Sequence, residues 1–314
     1  MLGVSGPTGS DSAAARRMSE GRRGDFAGVK QISVIIPAYN AATTIGVQLD
    51  ALSRQTYAGD WEVIVADNGS TDDTRAMAES YSDRLPDLKV VDASDRRGAG
   101  PARNRGARAA SAPYLAFCDA DDRVEPEWLA ALASALEHHD FVTGSVDHDS
   151  LNSGESSSHW RSHVDSLPLA LRFLPYALSG NMGVKSSAFH EVGGFPEDMD
   201  SVGEDVALSW ALQLAGYDLY FEPKAVVAYR HKEELGSLWR QHSNFGLADV
   251  VLYKRFRSYG VPPRRLRSVA ASYWRLLTKL PWLFLPAKRS SVVRTLAKHW
   301  GRLRGSCRER VLYL

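Results

Sequence analysis

The chain has 314 residues, 44% hydrophobic and 24% charged, with a formal net charge of +1. That balance excludes a disordered or fibrous protein and suits one globular α/β domain with an appendage. The neutrality is divided, because residues 230–314 hold 19 Lys/Arg against 4 Asp/Glu and the rest of the chain holds 19 against 33, so an acidic body precedes a basic tail.

Residues 1–30 are rich in Ser, Gly, Ala and Arg and lack an apolar segment of signal-peptide length, so a disordered N-terminal extension is expected and is excluded from the fold. From Gln31 the pattern changes. "ISVIIP" is a β-branched apolar run closed by Pro37, the mark of a strand buried on both faces of a parallel sheet. "AATTIGVQLDALSRQ" has helical spacing at Ile45, Leu49 and Leu52, and "WEVIVAD" is a second strand. "STDDTRAMAESY" reads as a helix N-capped by Ser70 or Thr71, with Asp72 and Asp73 as helix-start charges. "LKVVDA", the helix "GPARNRGARAA" and the strand "YLAFCD" follow. This alternation of strands and helices predicts a Rossmann-like, mostly parallel sheet with flanking helices. Further on come a helix over 126–138, a strand "DFVTGSV", a Ser-rich loop over 147–163 and the glycine-bearing segment 178–199. A helix "GEDVALSWALQLAG", strands "DLYFEP" and "AVVAYRH", and a helical, basic region from about 233 complete the chain. The expected organisation is therefore an extension over 1–30, a catalytic domain over 31–232 and a helical appendage over 233–314.

Ligands of open parallel sheets bind outside the carboxyl ends of the strands. Three polar motifs fall there: Pro37-Ala38-Tyr39-Asn40, Asp67-Asn68-Gly69-Ser70 and Asp119-Ala120-Asp121-Asp122. In an extended segment Asp119 and Asp121 would face one way and Asp122 the other. Two carboxylates held together repel unless a cation joins them, and their oxygen chemistry favours Mg2+ or Mn2+. A helix-capping surface turn is the alternative for this DxD. Gly98 and Gly100 precede a helix bearing Arg103, Arg105 and Arg108. Arg103 lies nearest its start and is the candidate phosphate ligand, while the other two fit a solvated face. No GxGxxG or P-loop occurs. Glu204 and Asp205 open an amphipathic helix, where they either complement its dipole or provide a general base.

The motifs "VIIPAYN", "VIVADNGSTDDT", "GAGPARNRGARAA", "YLAFCDADD", "GGF" and "GEDVALSWAL" occur in this order over about residues 32–231, and the set resembles inverting family 2 glycosyltransferases of the GT-A fold. The resemblance implies transfer of a sugar from a nucleotide-sugar donor to a hydroxyl. It places the donor nucleotide on Pro37, Tyr39, Asp67 and Asn68, the divalent metal on Asp121 with Asp119, and the catalytic base on Asp205. His231 would add a third metal ligand or touch the diphosphate, and Gly193-Gly194-Phe195 would lie on the acceptor side. The chain departs from the family at Asn68, where a second acid is common, so the identity of the nucleobase is open. A non-catalytic sugar-nucleotide or glycan-binding protein on the same fold is the alternative. A nucleotidyltransferase is disfavoured, because its Gly-rich signature after the first strand is missing.

The tail mixes Trp274, Trp282, Phe284 and Trp300 with many cations, and its longest uncharged run, "LPWLFLPA", is too short to cross a bilayer. It is expected either to lie at an anionic membrane surface, near a lipid-linked or envelope glycan acceptor, or to pack on the catalytic domain with a solvated basic face. No nucleic-acid module is present. Cys118 and Cys307 have neither zinc nor disulfide-framework spacing. A reducing, cytoplasmic location is therefore expected, at the inner face of the cell membrane if the tail takes the first of these two roles.

Overall fold

The computed structural model describes residues 30–152, 163–164, 166–199, 202–232 and 234–314. The expected N-terminal extension and most of the 147–163 loop lie outside the described residues. Strand β1 (Ile32–Ala38) is buried along nearly its whole length and pairs in parallel with β2 (Trp61–Asp67) and β4 (Tyr114–Cys118). β2 in turn pairs in parallel with β3 (Leu88–Asp92). The side-chain period of two divides these strands between two cores. Ile32, Val34 and Ile36 face one layer with Val63, Val65 and Ala116, whereas Ile35, Ile64, Leu115 and Phe117 face the other.

The first layer is covered by α1 (Ile45–Leu52), through Ile45, Leu49 and Leu52, and by α4 (Trp128–Leu136), through Trp128, Leu129 and Leu132. Helices α2 (Thr74–Glu79) and α3 (Ala99–Ala109) complete the crossovers. Helix α2 is shorter than expected and begins after Asp73, not after Ser70 or Thr71. Asp72 instead accepts the Thr74 and Ala42 amides, both at 3.1 Å, which fastens the helix start to the loop after β1.

Beyond β4 the sheet becomes mixed. Among the described residues the sheet has nine strands, in the order β3-β2-β1-β4, β8 (Asn181–Lys185), β6 (Phe141–Asp147), β9 (Leu219–Ala228) and β5 (Arg123–Val124), with β7 (His163–Val164) pairing β6. β8 runs antiparallel to both β4 and β6, and β5 antiparallel to β9. β8 arises inside the glycine-bearing segment, where alternation gives no strand signal. The two strands expected around Pro223 are one. β9 pairs in parallel with β6 and shifts register between Gly144 and Ser145, passing from Glu222 to Val226. A Cβ at Gly144 would fall on the Ala225 carbonyl, so glycine is what lets the strands approach at this irregularity. Asn181 ties the mixed half together. Its amide donates to the Ser145 and Ala225 carbonyls, both at 2.9 Å, and its oxygen accepts the Trp128 indole at 2.8 Å.

The second core is closed by Phe189 of α5 (Ser186–Glu191), by Leu208 and Leu212 of α6 (Glu204–Leu214), and by Phe195 from the segment between them. A third cluster joins Trp210 and Val206 of α6 to Leu252 and Phe256 of α7 (Leu235–Phe256), docking the basic region on the body. Helices α8 (Leu266–Lys279) and α9 (Pro286–Glu309) follow. α7 and α9 cross where Gly246 faces Gly301. A Cβ at either would fall on a backbone carbonyl of the opposite helix, Lys298 or Ser243. Asp249 receives the Arg302 guanidinium at 2.7 and 2.9 Å, and Lys254 pairs with Glu309 at 2.9 Å.

Candidate active site

At the carboxyl ends of β1, β2 and β4 the chain leaves a cavity of about 530 Å3. Pro37, Ala38, Tyr39, Asn40, Asn68, Arg103, Asp119 and Asp121, all singled out by sequence, line it. Asp67, Glu204, Asp205 and His231 do not.

The first two motifs build one wall by holding each other. Asn40 adopts the left-handed conformation that asparagine tolerates, with φ 47°. Its carboxamide oxygen accepts the Thr71 amide at 2.8 Å, and its own amide donates to the Ser70 hydroxyl at 3.0 Å. Asp67, buried at the end of β2, accepts the Ser70 amide at 3.0 Å. Asn68 uses its whole side chain locally: its amide donates to the Ala93 and Arg96 carbonyls, and its oxygen accepts the Gly98 amide at 2.8 Å. The residue that departs from the family pattern thus shapes the loop leading into α3. That loop brings Arg97 against Tyr39, with the guanidinium 5.6 Å from the half-exposed ring's centroid.

The Asp119–Asp122 segment is a turn, not an extended continuation of β4. The expected same-face pairing of Asp119 with Asp121 therefore does not hold, since the period of two stops at Cys118. Asp119 turns to Arg103 at 2.6 Å, and Asp121 to Lys232 at 2.6 Å. Asp122 is 2% exposed and accepts the Arg230 amide at 2.9 Å. Burial, and then the charges of Asp119 and Asp121, push its pKa well above the ordinary range. The carboxylate oxygens of Asp119 and Asp121 are the hard donors that a divalent cation of the Mg2+ or Mn2+ type takes. Among the described residues no three His, Cys, Asp or Glu side chains converge as a ready ligand set, so a cation here would rest on one or two carboxylates with substrate and water oxygens. The His231 ring stacks on that of His148 at 5.0 Å and meets Tyr229 edge-on. Burial, then His148 and Arg294, lower its pKa to about 4.

Arg103 connects the cavity to the acidic end of α6. The side chain is 3% exposed, and its two terminal nitrogens meet Asp119 at 2.6 Å and Glu204 at 3.1 Å. The expected phosphate ligand is therefore already engaged as a buried bridge between carboxylates, with Phe195 packed beneath it. Asn104 of the same helix fixes Phe195 through both backbone groups, at 2.8 and 2.9 Å. Asp205 follows Glu204, partly buried, and accepts backbone hydrogen bonds from Val206 and Ser179. Burial, then the charge of Glu204, lift its pKa to about 7. The adjoining Gly180 lies so close to the turn that a Cβ there would stand 2.8 Å from the Asp119 carboxylate. The Ser179–Gly180 corner thus touches Asp205 on one side and the Asp turn on the other. Sequence reasoning missed this corner, Arg97, Arg230 and Lys232. The "YRHK" cation run at the end of β9 was the available signal for the last two.

The glycosyl transferase family 2 model matches residues 33–194, and that of glycosyl transferase family group 2 matches residues 114–300. Over 254 residues the chain is 30% identical to the glycosyltransferase AglE of Haloferax volcanii, covering 80% of this chain and 81% of that protein. It spans less of other relatives, 26% of a validoxylamine A glucosyltransferase and 44% of a pre-mycofactocin glycosyltransferase. In fold it is similar to the mannosyltransferase PcManGT from Pyrobaculum calidifontis, solved with GDP-Man and Mn2+. The TM-score is 0.57 at 20% identity, covering 88% of this chain and 86% of that one. It is also similar to S. aureus TarS 1-349 in complex with UDP-GlcNAc, with a TM-score of 0.53 at 20% identity over 90% and 93% of the two chains. With the ordered motifs gathered on one cavity rim and the family model spanning half its length, the chain belongs to glycosyl transferase family 2 and is a glycosyltransferase of the GT-A fold.

Proposed function

We propose that the protein transfers a sugar from a nucleoside-diphosphate sugar to a hydroxyl of a glycan or lipid-linked acceptor, in a single inverting displacement. One observation carries this reading: Asp205, whose pKa burial lifts to about 7, follows Glu204, which Arg103 links to Asp119 of an aspartate turn lining the cavity, and it rests on the Ser179–Gly180 corner that abuts the same turn. An inverting displacement needs these two groups on different sides of the anomeric carbon, one where the leaving diphosphate departs and one where the acceptor oxygen enters.

The nucleotide enters over Pro37–Asn40, where Tyr39 and the Arg97 guanidinium present flat faces on which a base can stack. Arg230 and Lys232 bring positive charge to the cavity edge beside Asp121 and attract the diphosphate. Asp121, with Asp119, would hold a Mg2+ or Mn2+ ion, which supplies electrostatic neutralisation of the leaving diphosphate. Asp205 takes the proton of the attacking hydroxyl; burial, reinforced by the charge of Glu204, which remains paired with Arg103, raises its basicity.

The test is turnover of a panel of UDP- and GDP-sugars by the purified chain with Mn2+ or Mg2+, read as release of the nucleoside diphosphate and, with an acceptor, as product anomeric configuration. Release that is lost with EDTA and in Asp121→Ala, with an inverted product, is expected. A chain that binds a sugar nucleotide but never turns it over is a binding protein, and retained configuration would refute the single displacement.

A further inference from the structure

Between Asp249 and Glu309 the chain holds 15 Lys/Arg and no acidic residue. The fold divides these cations into two sets. Lys254, Lys298 and Arg302 are spent inside the helical module, on Glu309 and Asp249. Helix α8 contains no acid of its own, and its Arg267 and Arg275 are exposed.

The apolar stripe of α8 points outward. Leu266, Ala270, Trp274 and Leu277 recur at steps of four, four and three, which sets them on one side of a helix. Leu266 is 80% exposed, Trp274 68% and Leu277 57%, while Leu276 is the buried residue of the helix. The 3-10 turn Leu280–Phe284 continues the surface with Phe284, 86% exposed. In that turn Trp282 lies between the ammonium groups of Lys279 and Lys288, at 5.6 and 4.7 Å from the ring centroid. A run of exposed Leu, Trp and Phe flanked by charge marks an interaction surface.

Charge decides the occupant. A second copy would bring an equally cationic face against this one. A nucleic acid would satisfy the cations but leave Leu266, Leu277 and Phe284 without a partner. An anionic bilayer satisfies both sets, with the stripe entering the acyl boundary and the cations meeting the head groups. No described helix is long and apolar enough to cross a membrane, so the element would lie in the interface plane. We propose that α8 and the Leu280–Phe284 turn are a docking element for anionic phospholipid. The helical region carrying it follows the cavity cation Lys232 in the chain. The assignment rests on the surface alone, independent of the transfer reaction.

Sedimentation of the full chain with phosphatidylcholine vesicles, with and without phosphatidylglycerol, tests it. Binding is expected only with phosphatidylglycerol and should weaken as salt rises. The triple variant R267Q/R275Q/K279Q should lower the partition coefficient on the order of 100-fold, from about fivefold per charge. W274S/F284S should also lower it while leaving thermal unfolding unchanged, because both rings are exposed. A full chain that ignores phosphatidylglycerol, or variants that sediment like the parent, would overturn the proposal. So would RNA binding that survives W274S/F284S in the absence of vesicle binding, which assigns the cations to a nucleic acid. Self-association abolished by W274S/F284S without lipid binding would assign the face to a second copy.

Discussion

Replacing Asp205 with Asn should make the protein more stable and nearly inactive at once. Burial, then Glu204, raise the Asp205 pKa from its ordinary 3.8 to about 7, against the pull of the Val206 and Ser179 hydrogen bonds and of Arg103. A shift of that size means that the ionised carboxylate costs the folded state about 4 kcal/mol relative to the unfolded chain. Because the folded pKa is the higher one, the cost is absent below about pH 4, grows as pH rises towards 7 and is complete above it. Asn cannot ionise, so Asp205→Asn should gain up to about 4 kcal/mol at pH 8 and almost nothing at pH 4. A positioned base contributes roughly 10^2- to 10^4-fold, which sets the expected loss of kcat. In the parent, kcat/KM should fall about tenfold per pH unit below about 7, and that limb should vanish in the variant. Thermal unfolding at both pH values, with nucleoside-diphosphate release at saturating donor, measures the two effects. Parental kcat in Asp205→Asn would refute the base assignment. An unfolding difference equal at pH 4 and pH 8 would refute the buried ionisation.

Arg103→Leu leaves Asp119 and Glu204 facing each other without their shared partner, so it should cost about 3 to 5 kcal/mol in urea unfolding, and Arg103→Lys should recover only part of this because an ammonium lacks the fork. Gly301→Ala places a methyl on the Ser243 carbonyl and should part α7 from α9, costing on the order of 1 to 3 kcal/mol by the same measurement, whereas Ala at the open Gly216 would test strain at its positive φ alone. Burial by itself would raise the Glu62 pKa, but Lys89, Ser111 and Ser33 outweigh it and bring the value down to about 2. Its contribution, about 3 kcal/mol, is therefore present above pH 4.5 and lost as pH falls towards 2, so Glu62→Gln should flatten the acid limb of the stability profile.

The parallel half of the fold was legible because its signals are local. β1, β2 and β4 are continuous apolar runs of strand length, and the motifs that follow them reach a common rim by the geometry of parallel strands. β8 was not legible. "NMGVK" owes its place to β4 and β6 on either side, not to its own pattern. Pro223 read as a break, yet the register shift opposite Gly144 and Ser145 carries β9 through it.

Within the site, the residue types and their order were written in the chain: strand-end amides and acids, a carboxylate triplet, an acidic helix start and a basic tail. Their partners were not. Arg103 meets Asp119 across 16 residues and Glu204 across 101, and Lys232 meets Asp121 across 111. Local periodicity has no reach at such separations, and it failed even inside the Asp turn, where the chain leaves the extended conformation that the rule assumes. Burial, which is a property of the packed body, moved the pKa of Asp205 to about 7, and the turn after β4 set Asp119 and Asp121 against different cations. Sequence alone thus determined which chemistry the chain can offer. Tertiary packing decided which carboxylate is held near neutrality, which arginine is already engaged, and which aromatic residues of the tail remain uncovered, because each depends on what distant segments remove from water.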